Sequence, residues 1–136
     1  FIDNGLAPAT TYVWRVQAFN DVGSSAYSNH LSVTTPGTVA IPAAPSGLTA
    51  SARRVNSRAE VRLSWTDNAN NEAGVVIERC RGSTCTDFAA IASLPQNTVS
   101  NTDAGLPRKT TYRYRVMATG SSGNSPYSNI LTVRTP

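Results

Sequence analysis

Two cysteines, Cys80 and Cys85, carry the most reactive chemistry in this 136-residue chain, and only Arg81-Gly-Ser-Thr84 separates them. Thiols at the two ends of a four-residue turn face each other if the flanking segments form a hairpin, at a separation that a disulfide spans. Two free thiols, or half of a metal site, are the other readings of the same pair. A structural zinc ion normally takes four ligands, and the one histidine, His30, lies in a different segment. No metal or other cofactor is expected.

Asp67 and Glu72 bracket an asparagine-rich stretch, Asp67-Asn-Ala-Asn-Asn71, and could act as a carboxylate pair or a calcium loop. The alternating acidic ladder of such a loop is missing, however, and asparagine is also what an open turn favours. A hydrogen-bonded turn is the simpler expectation. No Gly-x-Ser-x-Gly elbow accompanies His30, so a Ser–His–Asp arrangement has no support. No catalytic residue is assigned, and no enzyme activity is expected. The remaining candidate is a set of charges: Arg113, Arg115, Arg134 and Glu78. Arginines on one sheet can grip sulfate, uronate or phosphate groups through paired guanidinium hydrogen bonds. They can equally pair with Glu78 across strands and cover the sheet with their aliphatic stems.

The elements that must position these residues are short strands. Runs suited to strands are Ser46–Ala52, Ala59–Thr66, Gly74–Arg81, Phe88–Leu94, Thr98–Thr102, Thr111–Thr119 and Ser128–Thr135, with turn-forming residues between them. The stretch Asp103-Ala-Gly-Leu-Pro107 is read as one of those turns. No segment sustains a helical period, and seven strands at this spacing predict an antiparallel sandwich. Alternation assigns the faces: Val61, Leu63 and Trp65 share one side of their strand, as do Tyr112, Tyr114, Val116 and Ala118. Arg113, Arg115 and Met117 then point outward.

Residues 1–36 align without a gap on residues 101–136, and eighteen of the 36 pairs are identical. A period of 100 residues denotes tandem copies of a whole domain. The expected organisation is a C-terminal portion of one domain (1–36), a proline-rich linker (37–43) and a complete domain (44–136). In the first copy, Tyr12, Trp14, Val16 and Ala18 form the matching inward set. Without the counterpart of residues 44–100, those side chains need cover, from missing chain or from another subunit.

Composition agrees with a turn-rich β protein: 15% of residues are charged, and no apolar run is long enough to span a bilayer. The net charge of +4 comes mainly from arginine. It is spread without a dense basic run, so no specific nucleic-acid partner is expected.

Three segments carry a family resemblance. They are Pro45-Ser-Gly-Leu-Thr-Ala with Val61-Arg-Leu-Ser-Trp65-Thr-Asp, then Gly74-Val-Val-Ile-Glu-Arg79, and finally Gly105-Leu-Pro-Arg-Lys-Thr-Thr-Tyr112-Arg-Tyr-Arg-Val116 with Tyr127-Ser-Asn-Ile-Leu-Thr-Val133. The chain resembles the fibronectin type III family in the style of secreted bacterial proteins. The resemblance implies an all-β, seven-stranded, immunoglobulin-like antiparallel sandwich, with strands E, F and G of a preceding domain in residues 1–36. It implies a structural core containing Trp65, Leu106, Tyr112 and Tyr114, with Tyr12 and Trp14 in the first copy. Leu106 and Tyr112 match the tyrosine-corner pattern, in which the phenol bonds back to the turn. The implied function is a non-catalytic spacer or interaction module of a larger secreted protein. A subunit of an extracellular filament or surface layer, and a polysaccharide-binding module of a secreted hydrolase, are the alternatives. The corresponding partners are neighbouring domains of the same polypeptide, extracellular polysaccharide or a cell surface, or further copies of the chain.

Overall fold

The computed structural model describes residues 1–136; every regular element in it is a strand. No helix is long and apolar enough to cross a membrane. The chain divides into two compact units, Phe1–Val39 and Ala40–Pro136.

The first unit contains β1 (Thr11–Trp14), β2 (Phe19–Asn20), β3 (Gly23–Ser24) and β4 (Leu31–Thr34). β1 pairs antiparallel with β4, placing Tyr12 opposite Val33 and Trp14 opposite Leu31. β2 and β3 form a minimal hairpin.

The second unit contains seven strands: β5 (Ser46–Val55), β6 (Arg58–Thr66), β7 (Gly74–Arg81), β8 (Ala89–Pro95), β9 (Ser100–Leu106), β10 (Thr111–Thr119) and β11 (Leu131–Arg134). They form two antiparallel sheets, β5-β6-β9 and β11-β10-β7-β8. Alternation in β6 buries Val61, Leu63 and Trp65, while alternation in β10 buries Tyr112, Tyr114, Val116 and Ala118. With Leu48, Val75, Ile77 and Leu106, all of these side chains except Ala118 form one hydrophobic core between the sheets. A sheet with one face buried and one face wet must alternate in this way, which is why the period was readable. The seven-stranded antiparallel sandwich is the fold that forms.

Strand ends depart from the expected ones for local reasons. β5 runs on to Val55 and turns through Asn56 and Ser57 into Arg58, with Asn56 at φ 54°. A two-residue hairpin loop needs such a left-handed residue, and asparagine tolerates it. β9 continues through the stretch read as a turn, because Asp103 and Leu106 both have partners in the interior. β11 starts later than expected, at Leu131. Before it, serine hydroxyls replace part of the ladder: Ala118 N–H donates to Ser125 Oγ at 2.9 Å and Val116 N–H to Ser128 Oγ at 3.1 Å. The first unit repeats both bonds, from Ala18 to Ser25 at 3.0 Å and from Val16 to Ser28 at 2.9 Å.

The corner ahead of β10 corrects another expectation. In the first unit Ala7 N–H donates to Tyr12 Oη at 3.0 Å. The matching residue in the second unit is Pro107, which has no amide hydrogen, so the Tyr112 phenol cannot receive the same bond. The bracing that the second unit keeps is that of buried Thr135: its hydroxyl donates to the Pro107 carbonyl at 2.8 Å and accepts from Thr110 N–H at 2.9 Å. Thr35 makes the equivalent bonds to Ala7 and Thr10.

Candidate functional site

Cys80 and Cys85 are joined in a disulfide with their Cα atoms 6.0 Å apart, and no cysteine is free. The geometry differs from a bridge across a strand pair. Arg79 faces Ala89 at the end of the β7–β8 ladder, so Cys85 lies in the connecting loop. The bond therefore folds residues 82–88 back onto the outer side of β7, and Cys80 is only 4% exposed beneath them. Asp87 stands close to both sulfurs. Sulfurs bonded to each other have no thiolate to offer a metal ion. Because the closed loop is short, reduction is expected to lower stability by only about 2 kcal/mol on the chain-entropy model. Thermal melts with and without a reductant measure this; a loss above about 4 kcal/mol would mean that the bond organises more than its own loop.

That loop places Phe88 on the outer face of the β11-β10-β7-β8 sheet. Arg115, on β10, lies opposite Glu78 on β7. Its guanidinium Nε donates to Glu78 Oε2 at 2.7 Å, and its Nη2 lies 2.6 Å from the same oxygen in an ion pair. The same guanidinium sits between two rings, 3.7 Å from the Tyr127 centroid and 4.2 Å from that of Phe88. Tyr127 Oη in turn donates to Glu78 Oε1 at 3.1 Å. Arg113 donates to the Cys85 carbonyl. Arg134 lies exposed on β11 opposite Thr111 and takes part in no ion pair.

Three of the four candidate face residues are thus gathered, with Arg115 ion-paired to Glu78 and Arg113 bonded to the disulfide loop. A guanidinium packed between two rings and bonded to a carboxylate is a clamp between strands more than an open anion site. Phe88 and Tyr127 were absent from the sequence-derived face. Tyr127 had a usable signal: it is identical in both copies, and Arg15 stacks on Tyr27 at 3.6 Å in the first unit.

The asparagine-rich stretch holds turns together. Asp67 Oδ1 accepts from Ala69 N–H at 3.0 Å, Asn68 donates to the Ala44 carbonyl at 2.8 Å, and Glu72 Oε1 accepts from Asn97 N–H at 3.0 Å. His30 is exposed on its loop.

A polar group missed by sequence reasoning lies inside the sandwich. Asp103 Oδ2, on β9, accepts from Arg79 Nη1 at 2.6 Å and from Tyr114 Oη at 2.9 Å. β9 belongs to one sheet and β7 and β10 to the other, so this carboxylate bonds the two layers together. Burial, followed by the charge and hydrogen bond of Asp103, pushes the Tyr114 phenol well above the usual phenol range. The signal was again in the repeat: Asp3 matches Asp103, and its Oδ2 accepts from Trp14 Nε1 at 3.2 Å.

Of the residues expected in the core, Trp65, Leu106, Tyr112 and Tyr114 are buried. Tyr12 and Trp14 remain partly exposed, with their ring centroids 5.7 Å apart. Beside them Val16, Leu31 and Val33 face solvent.

No family model matches the chain. Exoglucanase B of Cellulomonas fimi is 36% identical over 131 residues, covering 91% of this chain and 11% of that protein. Fibronectin type III domain containing protein 3C1 of Mus musculus is 33% identical over 140 residues, covering 96% of this chain and 9% of its own length. The chain therefore spans about a tenth of the length of these curated relatives. Among solved structures, a Fn3-like protein from Clostridium thermocellum superposes with a TM-score of 0.57 at 24% identity, over 71% of this chain and 96% of that one.

Proposed function

This chain is built of fibronectin type III units, and on that premise we propose that it is a non-catalytic spacing and interaction segment of a secreted, multidomain bacterial protein. The observation that carries the proposal is the match to Exoglucanase B, which takes in nearly all of this chain and only 11% of that larger protein. The Cys80–Cys85 disulfide suits an oxidising compartment outside the cytoplasm. Glu78, Arg113 and Arg115, the gathered polar groups of the best candidate face, hold strands and a loop together, as a load-carrying spacer requires.

On this reading residues 1–36 supply strands E, F and G of one unit, 37–43 connect, and 44–136 form a complete unit. Pro36 stiffens the start of the connection by fixing φ and removing an amide donor, while Pro42 and Pro45 are buried in the second unit.

The test compares the full-length protein with a version lacking residues 44–136. Loss of one unit should shorten the molecule by roughly 33 Å in small-angle scattering, the length of a ten-residue strand. Turnover of soluble substrates by other domains should stay unchanged. Loss of that turnover with the flanking domains still folded would overturn the spacer reading.

A further inference from the structure

The other sheet carries a surface that the candidate face does not include. On the outward side of the β5–β6 hairpin, Arg53 lies opposite Glu60, and Arg62 is flanked by Ser51 on β5 and Thr102 on β9. Arg58 lies on the same side two residues before Glu60, and all three arginines are exposed. Ser51, Arg53, Glu60, Arg62 and Thr102 line a depression of about 320 Å³.

Part of the charge here is uncommitted, unlike that of Arg115. Glu60 engages Arg53 through Nε alone, holding the side chain while its two terminal nitrogens stay free. Arg58 and Arg62 take part in no ion pair. Three guanidinium groups therefore share one sheet face with a single carboxylate. Arg53 is the diagonal cross-strand neighbour of both Arg58 and Arg62, about 7–8 Å from each. That gives a row of positive charge, not one point. Hydroxyls lie alongside it: Ser51 and Thr102 at the depression, and Thr49 with Ser64, whose oxygens are 3.0 Å apart, further along.

We propose that the outer face of the β5-β6-β9 sheet binds an anionic polysaccharide, with Arg53 and Arg62 gripping its sulfate or carboxylate groups and Ser51 and Thr102 hydrogen bonding beside them. Guanidinium forks match both oxyanions in geometry, and the hydroxyls suit the sugar's own hydroxyls. A nucleic acid fits this face less well. Its outward side presents no aromatic ring for bases to stack on, since Trp65, the one aromatic residue on these three strands, points into the core.

Affinity electrophoresis of the whole chain in gels containing dextran sulfate, polygalacturonate or neutral dextran tests the proposal. Wild type should be retarded by dextran sulfate, polygalacturonate or both, and not by neutral dextran; which polymer acts tells sulfate from uronate. The Arg53→Ala/Arg62→Ala variant should bind at least about tenfold more weakly. An Arg81→Ala/Arg134→Ala control removes the same charge from exposed positions on the other sheet and should stay within about twofold of wild type. Arg62→Gln alone gives a second, milder variant, and melting curves confirm that each variant is folded. Absence of retardation, equal weakening in the control, or stronger retention by duplex DNA or by phosphatidylserine vesicles overturns the proposal.

Discussion

Replacing Trp65 by alanine is expected to cost about 3–5 kcal/mol, the largest loss from any single side chain of the second unit. Trp65 ends the inward row Val61, Leu63, Trp65 on β6, and it is 6% exposed as a member of the hydrophobic core. Alanine there removes a large apolar area and leaves a cavity that rigid neighbouring strands cannot fill. For a unit of this size the melting temperature should fall by more than about 12 °C. Trp65→Phe should cost much less, about 1–2 kcal/mol. The ring volume is then partly kept, and the indole Nε1, a buried donor without an acceptor, is removed. Denaturant unfolding followed by near-ultraviolet circular dichroism separates the two variants. A cost below about 1 kcal/mol for Trp65→Ala would place that ring outside the core.

The fold was legible where burial imposes a period of two. In Thr111–Thr119 and Arg58–Thr66 every second residue is buried, so the apolar pattern alone assigns strand, face and partner layer. The disulfide was less legible. The spacing of Cys80 and Cys85 implied a bridge but not that Cys85 would lie in a loop, because spacing says nothing of where pairing ends. The Arg115 clamp was half visible: Glu78 and Arg115 follow from strand register, whereas Phe88 reaches them only because the bridge folds its loop over β7. Asp103 was misread for a specific reason. Asp-Ala-Gly-Leu-Pro has the composition of a turn, and composition cannot register that a half-buried arginine and a buried phenol await a carboxylate. The identity of Asp3 with Asp103 was the clue that composition obscured. The row of Arg53, Arg58 and Arg62 was missed because it crosses two strands of a hairpin whose turn, at Asn56, was not foreseen.

Removing the Asp103 carboxylate should be nearly as damaging as emptying the Trp65 site. With Asp103→Ala, Arg79 loses its counter-ion and the Tyr114 hydroxyl loses its acceptor, both within the sandwich. Breaking one partner of a buried pair costs about 3–5 kcal/mol. Arg79 keeps some contact with water, its side chain being 29% exposed, so about 2–3 kcal/mol is the better expectation. Asp103→Asn, which still accepts hydrogen bonds, should recover part of the loss. Tyr114→Phe leaves the ion pair intact and should cost about 1.5–3 kcal/mol near neutral pH, as one hydrogen bond to a charged acceptor disappears.

The same phenol sets an alkaline limit. In the unfolded chain Tyr114 ionises near pH 10, whereas in the fold burial first, then Asp103, hold its proton to higher pH. Above about pH 10 the unfolded state therefore binds fewer protons than the native state, so stability must fall as pH rises. The contribution is fully present below that pH and drains away toward the native pKa. Denaturant melts between pH 8 and 11.5 should show this decline in wild type and a shallower one in Tyr114→Phe. An identical alkaline slope in the two proteins would mean that Tyr114 gives up its proton equally easily folded and unfolded, which a phenol locked against Asp103 between the sheets cannot do.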